Sequence, residues 1–348
     1  MGMDRRTLAK AALGIAASGA AAISFSSPRT RRVCVLSTTE ANAVAPLIAA
    51  FEQANPAFSV DYRQLGSVEL MKEALGEGCI DVVWSSAMDL QIKLVNDGQA
   101  LRYKSVNAGE LPRWAIWKHE AYATTIEPIV LAYNRQLLAE SELPQSREAL
   151  AALLSGDVRR FRDRVATYDI NRSGLGFLLA AHDAAASPRY WDLVRAFGRN
   201  RASLETETVG MLDSVATGRT LLAYNVLGSY AGAYTRRHPD VAIAYLQDYT
   251  LLASRVAFIS KGASNPSGAQ AWLDFVLSPT GQQLLEEGGG LAGVRTDALP
   301  ARPGRRLLQR LGDAARPIAL GPGLLAHLDR SSHLSLASQW RQVFENPG

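Results

Sequence analysis

Residues 32–36 read Arg-Val-Cys-Val-Leu, a short apolar run typical of a buried strand. Similar runs follow at 58–62, Phe-Ser-Val-Asp-Tyr, and at 79–84, Cys-Ile-Asp-Val-Val-Trp. Between these runs, the apolar residues of 44–51 and 68–75 recur at the spacing of an amphipathic helix. The order strand, helix, strand, helix, strand predicts an α/β fold in which a mostly parallel, doubly wound sheet is flanked by helices.

The rest of the chain is long enough for a second unit. After a candidate export signal about 320 residues remain, which exceeds the size at which one hydrophobic core stops growing, so we expect two lobes. The stretch 121–134 is too long for one ordinary strand and is a candidate crossing between lobes, with 251–259 as the candidate return. We therefore expect residues 31–126 and 256–348 to form lobe 1 and residues 127–255 to form lobe 2.

The first 26 residues predict an export signal. Arg5-Arg6 precede an apolar run, rich in alanine and glycine, from Leu8 to Phe25, which is the layout of a signal peptide. The run is too short and too weakly apolar for a membrane span, which needs about 20 strongly apolar residues. The paired arginines resemble a twin-arginine signal, and a Sec signal or an uncleaved anchor is the alternative. We therefore expect a soluble protein of the periplasm.

The charge and the cysteine content narrow the functional class of the protein further. The chain carries 37 basic and 33 acidic residues; residues 1–26 hold three basic and one acidic residue, so 34 minus 32 leaves +2 for the rest. That balance is not typical of a nucleic-acid-binding protein. Cys34 and Cys79 could form a disulfide in the periplasm, but a bridge between neighbouring parallel strands is sterically demanding, so two buried free thiols are favoured. Two cysteines with scattered histidines do not form a zinc site, and we expect no metal and no cofactor.

Familiar catalytic motifs are absent from the sequence. His119-Glu120 lacks the second histidine that a zincin helix requires, and neither a G-x-S-x-G elbow nor a P-loop occurs. We therefore expect a binding protein and not an enzyme. A periplasmic hydrolase is the alternative, because the geometry of a catalytic triad cannot be read from a sequence.

Four sequence strings resemble substrate-binding proteins of ABC importers, in the branch that includes ferric-ion-binding and organophosphate-binding proteins. The strings are residues 37–40, 81–86, 127–134 and 271–282. The resemblance covers essentially all of the chain after the signal and implies a type II periplasmic binding protein fold, in which two crossing strands join two α/β lobes around a ligand cleft. It also implies a monomer whose partner is an ABC permease in the inner membrane, or a sensor kinase if the protein presents its ligand for signalling.

Polar side chains follow four of the predicted strands, where ligands of open α/β sheets bind. They are Ser37, Thr38 and Thr39, then Ser85 and Ser86, then Asn171, Arg172, Ser173 and Gly174, and finally Tyr224 and Asn225. Hydroxyls and N–H groups at helix starts favour an anion, and Arg172 is the best single candidate to pair with a phosphate or carboxylate. Helix capping is the alternative at each position. Because two of the four positions fall in each lobe, we expect them to face one cleft that holds a small anionic solute.

The resemblance adds candidates in lobe 2. Some sugar-phosphate-binding relatives read hydroxyl groups with a His-Asp pair and a later glutamate, which corresponds here to His182, Asp183 and Glu205, with Glu207 as the alternative glutamate. Glu127, which opens the crossing run, completes the set of candidate ligand-binding residues.

Ferric-ion-binding relatives hold the metal with adjacent tyrosines, because phenolate oxygens are hard, anionic ligands that suit Fe(III). The corresponding stretch here, 224–230, separates Tyr224 from Tyr230, and no two tyrosines are adjacent anywhere in the chain. We therefore expect a phosphorylated or phosphonate organic compound first, a polycarboxylate second and ferric ion third.

Overall fold

The computed structural model describes residues 30–76, 78–295, 303–326 and 328–348. The predicted export signal at 1–26 lies outside these residues. Within them the chain forms two β-sheets with helices packed against each. We call the unit around the first sheet lobe 1 and the unit around the second sheet lobe 2.

The first sheet confirms the parallel arrangement predicted from the opening pattern. Its strands are β1 (Arg31–Ser37), β2 (Phe58–Gln64), β3 (Val82–Ser85), β4 (Ile116–Trp117), β5 (Ala121–Ala123) and β12 (Val256–Ile259). Their order across the sheet is β2-β1-β3-β12-β5-β4. β1 pairs in parallel with both β2 and β3, whereas β12 runs antiparallel to β3 and to β5.

The second sheet has a mixed arrangement. Its strands are β6 (Glu127–Asn134), β7 (Val165–Tyr168), β8 (Ser203–Glu205), β9 (Leu222–Leu227), β10 (Val241–Ala244), β11 (Thr250–Ala253) and β13 (Ala315–Pro317). Their order is β13-β11-β6-β9-β7-β8, and β10 also pairs with β6. β7 is parallel to β8 and to β9, so the ends of these three strands lie at the same edge of the sheet.

Helices cover both sheets. They are α1 (Ala41–Ala54), α2 (Ser67–Ala74), α3 (Met88–Asn96), α4 (Arg147–Gly156), α5 (Val158–Phe161), α6 (Gly174–Ala186), α7 (Tyr190–Arg199), α8 (Thr208–Ala216), α9 (Gly228–Thr235), α10 (Pro266–Leu277), α11 (Pro279–Gly289), α12 (Pro303–Leu311) and α13 (Arg330–Glu345). In lobe 1, α1, α10 and α11 pack against one another, and in lobe 2, α7 packs between α4 and α13. Because both faces of each sheet are covered, the central strands are buried along most of their length.

The chain passes between the lobes at the two predicted crossings and at a third position. β5 leads into β6 through residues 124–126, and β11 leads into β12 through Ser254 and Arg255. After α11 the chain returns to the second sheet as β13, and Thr125 forms an isolated antiparallel bridge with Gly293 on the way. The crossings therefore lie side by side at the junction of the lobes.

The predicted assignment of all of 256–348 to lobe 1 is wrong for its final part. β13 pairs in parallel with β11, and α13 packs against α7. Leu336 and Trp340 of α13 lie in the core of lobe 2, where the indole N–H of Trp340 donates to the hydroxyl of Tyr190 at 3.1 Å. The amphipathic spacing of a helix shows which face is buried but not which sheet receives it, so the sequence pattern could not place α13.

The favoured prediction of two free thiols is also wrong, because Cys34 and Cys79 form a disulfide with a Cα–Cα distance of 5.8 Å. Cys79 lies in the loop ahead of β3 and not within the strand. The loop can therefore approach Cys34 in β1 without the steric restriction that two paired strands would impose. The bridge links the exposed Cys79 to a cysteine that is buried in the first sheet.

No helix among the described residues combines the length and the apolar character needed to cross a membrane.

Replacement of both cysteines, Cys34→Ala with Cys79→Ala, should lower the free energy of unfolding. The bridge closes a loop of 45 residues, and the loss of that constraint on the unfolded chain corresponds to about 4 kcal/mol. Urea denaturation of the variant measures the change, and the reduced wild-type protein serves as the control. Equal stability of the oxidised and reduced wild-type proteins would contradict a structural role for the bridge.

Candidate functional site

The polar residues predicted at the ends of β1 and β3 lie at one edge of the first sheet. Because these two strands are parallel neighbours, their following residues emerge side by side. The hydroxyl of Thr38 donates to Ser85 Oγ at 3.3 Å and accepts the N–H of Ser86 at 3.1 Å. Thr38 and Ser86 are half-buried, whereas Ser37 and Ser85 are fully enclosed. The structure therefore brings these residues together, with Thr38 and Ser86 nearest to solvent.

The enclosed hydroxyls of this edge serve the backbone. Ser37 Oγ accepts the N–H of Thr39 at 3.0 Å, and Ser85 Oγ accepts the N–H of Ala87 at 3.1 Å. Such local bonds satisfy N–H groups that would otherwise lack partners in a tight turn. Ser37 and Ser85 therefore stabilise the turns after β1 and β3, and neither of them caps α1 or α3.

The predicted residues ahead of α6 lie at the edge of the second sheet that also carries the end of β9. Ser173 caps α6, because its Oγ accepts the N–H of Gly176 at 3.1 Å. Asn171 Oδ1 accepts from Arg341 of α13 at 3.2 Å. Arg172 is exposed, and within the described part of the chain its side chain makes no hydrogen bond or ion pair, while Gly174 begins the helix. Arg172 is thus left available to an anion but is not held in position.

Glu205 belongs to the same edge of the second sheet. It ends β8, which is parallel to β7, and its side chain is half-buried. Glu207, the alternative glutamate, is exposed and precedes α8.

A buried ion pair joins the two sheet edges. Arg255, from the second crossing, places Nε 3.1 Å from Oε1 of Glu127 without hydrogen-bond geometry, and its second terminal nitrogen donates to Oε2 at 3.4 Å. The other terminal nitrogen of Arg255 donates to Thr39 Oγ1 at 3.0 Å. On the side of lobe 2, the hydroxyl of Ser229, in the first turn of α9, donates to Glu127. This Arg–Glu pair thus lies where the two lobes meet.

Thr125 completes the support of this pair. Its hydroxyl donates to Glu127 Oε1 at 3.0 Å and accepts the backbone N–H of Arg255 at 2.8 Å. Burial lowers the pKa of Arg255 on its own, but the carboxylate of Glu127 reverses the effect and the pKa is raised. The guanidinium is therefore charged, and the carboxylate of Glu127 balances this charge.

A small cavity opens beside the Arg255–Glu127 pair, and we call it the cleft cavity. Its lining comes from both lobes and consists of Thr39, Glu40, Ala43, Ser229, Tyr230, Ala233, Arg255 and Leu291. Its volume of about 60 Å³ holds only a few water molecules. The volume of the cavity therefore suits one charged group of a solute better than a whole organic molecule.

Tyr62 borders the same region from lobe 1. Its hydroxyl donates to the backbone carbonyl of Thr39 at 2.8 Å. Burial raises the pKa of Tyr62 to about 12, although Ser37, Arg255 and Thr39 oppose the shift. Tyr62 is consequently a neutral hydrogen-bonding group and not a phenolate.

The predicted ligand roles of Asp183, Tyr224 and Asn225 require correction, because all three lie in the interior of lobe 2. Asp183 is fully buried and accepts from the hydroxyl of Tyr224 at 2.8 Å and from Asn225 Nδ2 at 2.9 Å. It also accepts from Arg147 Nε at 3.1 Å and from the hydroxyl of Tyr249 at 2.8 Å. These residues satisfy one another, so we reassign them from the ligand site to the core of lobe 2.

The same burial argues against a tyrosinate at position 224. Burial raises the pKa of Tyr224 well above its ordinary value, although Arg147 opposes this. His182 does not share the environment of Asp183, because neighbouring residues of a helix point about 100° apart; it is half-buried and lines a different cavity.

Among the described residues, one group of three His, Cys, Asp or Glu side chains lies close enough together to share a metal ion, and it consists of Cys34, Cys79 and Asp81. Both cysteines are engaged in the disulfide, so they cannot supply thiolate ligands.

Sequence reasoning missed three contributors to the cleft, which are Tyr62, Thr125 and Arg255. Arg255 carried the clearest signal, because it is a lone charge inside the apolar run 251–259. A charged residue that is fully enclosed must be paired, but the identity of the partner depends on how the two crossings meet.

The two sheets, the crossings and the inter-lobe cleft define a two-lobed solute-binding fold. The model of the family described as "Bacterial extracellular solute-binding protein", SBP_bac_6, matches residues 79–314. The chain belongs to this family of bacterial extracellular solute-binding proteins. A search of curated protein sequences finds no match to the chain.

Solved structures agree with this assignment. The substrate-binding protein of an ABC transporter from Agrobacterium tumefaciens is 31% identical to the chain, covers 92% of it and 96% of its own length, and superimposes with a TM-score of 0.82. Iron-bound HitA from Pseudomonas aeruginosa is 19% identical over 89% of this chain and 99% of its own, with a TM-score of 0.71. AfuA from Actinobacillus pleuropneumoniae with bound fructose-6-phosphate is 15% identical over 90% and 99%, with a TM-score of 0.69.

These similarities confirm the predicted two-lobed fold, and the family model together with the Agrobacterium tumefaciens relative confirms the predicted family. Membership of a solute-binding family also confirms the expectation that the protein binds a solute and is not an enzyme. It further indicates a location outside the cytoplasm.

Asp183→Ala should destabilise the protein strongly, because Arg147 would keep its buried charge and lose a buried partner. Removal of one member of a buried ion pair costs about 3–5 kcal/mol. Urea denaturation measures the loss. Asp192→Ala serves as the control, because Asp192 is a more exposed carboxylate of the same lobe that also pairs with an arginine. If both variants unfolded at the same urea concentration as the wild type, Asp183 would not be a core residue.

Proposed function

We propose that this protein captures a small anionic solute in the cleft between its lobes, with a phosphorylated or phosphonate organic compound favoured, and delivers it to an ABC permease. One observation carries the proposal: the N-termini of two helices, one from each lobe, open on the cleft cavity beside Arg255. Glu40 and Ala43 at the start of α1 line it from lobe 1, and Ser229 and Tyr230 at the start of α9 line it from lobe 2.

Neither helix start is capped by a side-chain hydrogen bond, although Glu40 is the N-cap residue of α1. α1 and α9 have no acidic residue in the first turn. At the start of α1 the N–H of Ala41 donates to Gln64 Oε1 at 3.1 Å and the N–H of Ala43 donates to the carbonyl of Glu40 at 3.1 Å. The other N–H groups of a first helical turn have no partner four residues earlier in the helix. The N-termini of α1 and α9 therefore place partial positive charge on both sides of the cavity, and this charge favours an anionic group.

The Arg255–Glu127 pair borders this site but is close to neutral as a unit. Since Glu127 matches the charge of Arg255, the pair adds little net attraction, and the helix starts and hydroxyls supply the selectivity for an anion. Glu40 is exposed at the rim, where solvent screens its carboxylate. Arg172 at the start of α6 remains a candidate for a second contact to the solute, since its guanidinium is exposed and unpaired in the described chain.

The composition of the cleft supports an organic anion over ferric ion. One structural neighbour holds iron and another holds fructose-6-phosphate, so the similarity of fold does not distinguish a metal ligand from an organic one. In this chain Tyr224 is enclosed in lobe 2, which leaves Tyr230 as the tyrosine that lines the cleft cavity. Since no three His, Cys, Asp or Glu side chains of the described residues converge there, a site made of protein ligands alone is poorly suited to Fe(III).

Capture would work by closure of the lobes. The cavity has walls from both lobes, so a bound anion contacts both and stabilises the arrangement that brings them together. The crossings are the natural hinges, because they contain the short connections between the sheets. No covalent bond of the solute is made or broken in this process.

A thermal-shift screen against sugar phosphates, phosphonates, polycarboxylates and ferric salts tests the proposal. A ligand at about 100 times its dissociation constant adds roughly 2.7 kcal/mol to stability, which raises the melting temperature of a domain of about 150–250 residues by about 5–11 °C. We expect phosphorylated compounds to give the largest shift. A shift with ferric salts or neutral sugars alone would rule out the organic-anion proposal.

Ala43→Leu should weaken binding of the solute identified in the screen by at least about tenfold, because the added side chain fills the cleft cavity. Ala45→Leu is the matched control, since Ala45 lies on the same helix but is exposed. Calorimetric titration gives both affinities. Equal affinity of the two variants would place the solute outside the cleft cavity.

A further inference from the structure

A second, larger cavity lies to one side of the cleft, and we call it the lateral cavity. It has a volume of about 210 Å³ and lies between α3 of lobe 1, α6 of lobe 2 and the residues Gly323, Leu324, Ala326 and Leu328, which precede α13. The lining residues that bear on its chemistry are Asp89, Phe177, Ala181, His182, Leu324 and Leu328. It shares no lining residue with the cleft cavity, so binding in the lateral cavity does not depend on the proposed function.

Asp89 is an unpaired charge in this cavity. It lies in the first turn of α3 and is 6% exposed. Its Oδ1 accepts the N–H of Leu90 at 2.8 Å, and no cationic side chain of the described residues pairs with it. Burial raises the pKa of Asp89 to about 6, so the group is ionised near neutral pH at a cost in free energy. A buried carboxylate without a counter-ion is uncommon, because such charges are paired in most proteins.

The walls around Asp89 are mainly apolar. Phe177 and Ala181 are one turn apart on α6 and face the lateral cavity together, and Leu324 and Leu328 close it from the side of the C-terminal segment. α6 is apolar on almost all faces, so the face that does not pack on the second sheet also has to be covered. Gly323, Leu324, Ala326 and Leu328 lie across the cavity from this face.

We infer that the lateral cavity binds a small organic cation, an ammonium group carried on a short apolar chain, with Asp89 as its counter-ion. The ammonium would donate hydrogen bonds to the carboxylate oxygens of Asp89, and the apolar chain would lie against Phe177, Ala181 and Leu324. An anion is disfavoured by Asp89, and a neutral apolar molecule leaves the carboxylate with the start of α3 and the N–H of Leu90 as compensation but without a counter-ion. The site takes its walls from both lobes, so its ligand contacts both.

Titration calorimetry with n-butylammonium chloride tests the inference, with 1-butanol and sodium butyrate as probes of the same chain length. We expect saturable binding of n-butylammonium and at least about tenfold weaker binding of the alcohol and of butyrate, because a charge-assisted bond is lost. Absence of n-butylammonium binding, or equal binding of the alcohol, would overturn the inference and leave Asp89 a residue that stabilises the start of α3.

Two variants locate the binding. Asp89→Asn keeps an acceptor for the N–H of Leu90 but removes the charge, and it should weaken n-butylammonium binding by at least about tenfold. Asp97→Asn, at the exposed end of the same helix, is the matched control and should bind like the wild type. Unchanged binding by Asp89→Asn would overturn the assignment.

Ala181→Leu provides a test that keeps the carboxylate. The larger side chain fills the apolar wall, so n-butylammonium binding should fall by at least about tenfold while the protein remains folded. Melting curves of both variants confirm folding before titration. Binding that survives in Ala181→Leu would place the cation outside the lateral cavity.

Discussion

The pairing of Arg255 with Glu127 is the interaction on which the relation between the two lobes depends. Glu127 directly follows the first crossing and Arg255 lies in the second, and both are almost fully enclosed. Loss of one partner would leave the other charge buried and unpaired, a state that costs several kcal/mol. Since Arg255 also reaches Thr39 of lobe 1, and Glu127 also accepts from Ser229 of lobe 2, the pair connects both walls of the cleft to the crossings.

The same pair explains why the cleft can favour an anion without carrying a strong positive charge. A free buried arginine would bind anions but would be expensive to desolvate in the empty protein. Here Glu127 neutralises it, and the starts of α1 and α9 provide partial positive charge by geometry. Attraction of this kind acts over short range, so the site would depend on the lobes coming together around the solute.

Lobe 2 contains a second buried ionic group with a different role. Its members satisfy one another by hydrogen bonds in the interior of the lobe; they are Arg147, Asp183, Tyr224, Asn225 and Tyr249. Asp89, in contrast, is enclosed without a cationic partner and faces a cavity. Burial alone therefore does not separate structural from binding residues; what separates them is whether the charge has been matched by the protein.

The sequence by itself determined the elements and their order. The apolar runs at 32–36, 58–62 and 79–84 predicted a parallel sheet, and the hydroxyl residues after β1 and β3 were predicted at one edge because the ends of parallel neighbours meet. These inferences depend on local periodicity and on the geometry of parallel strands, which a sequence contains. Contacts between distant segments were not contained in it.

Only the tertiary structure decided which side chains meet. In the folded chain Arg255 pairs with Glu127, and Cys34 is bonded to Cys79. Helix α13 packs in lobe 2, and Asp183 and Tyr224 are enclosed in the core of that lobe. The physical reason is that spacing along a chain reports the buried face of a helix or strand, whereas the partner of a buried charge depends on the packing of elements more than 100 residues apart.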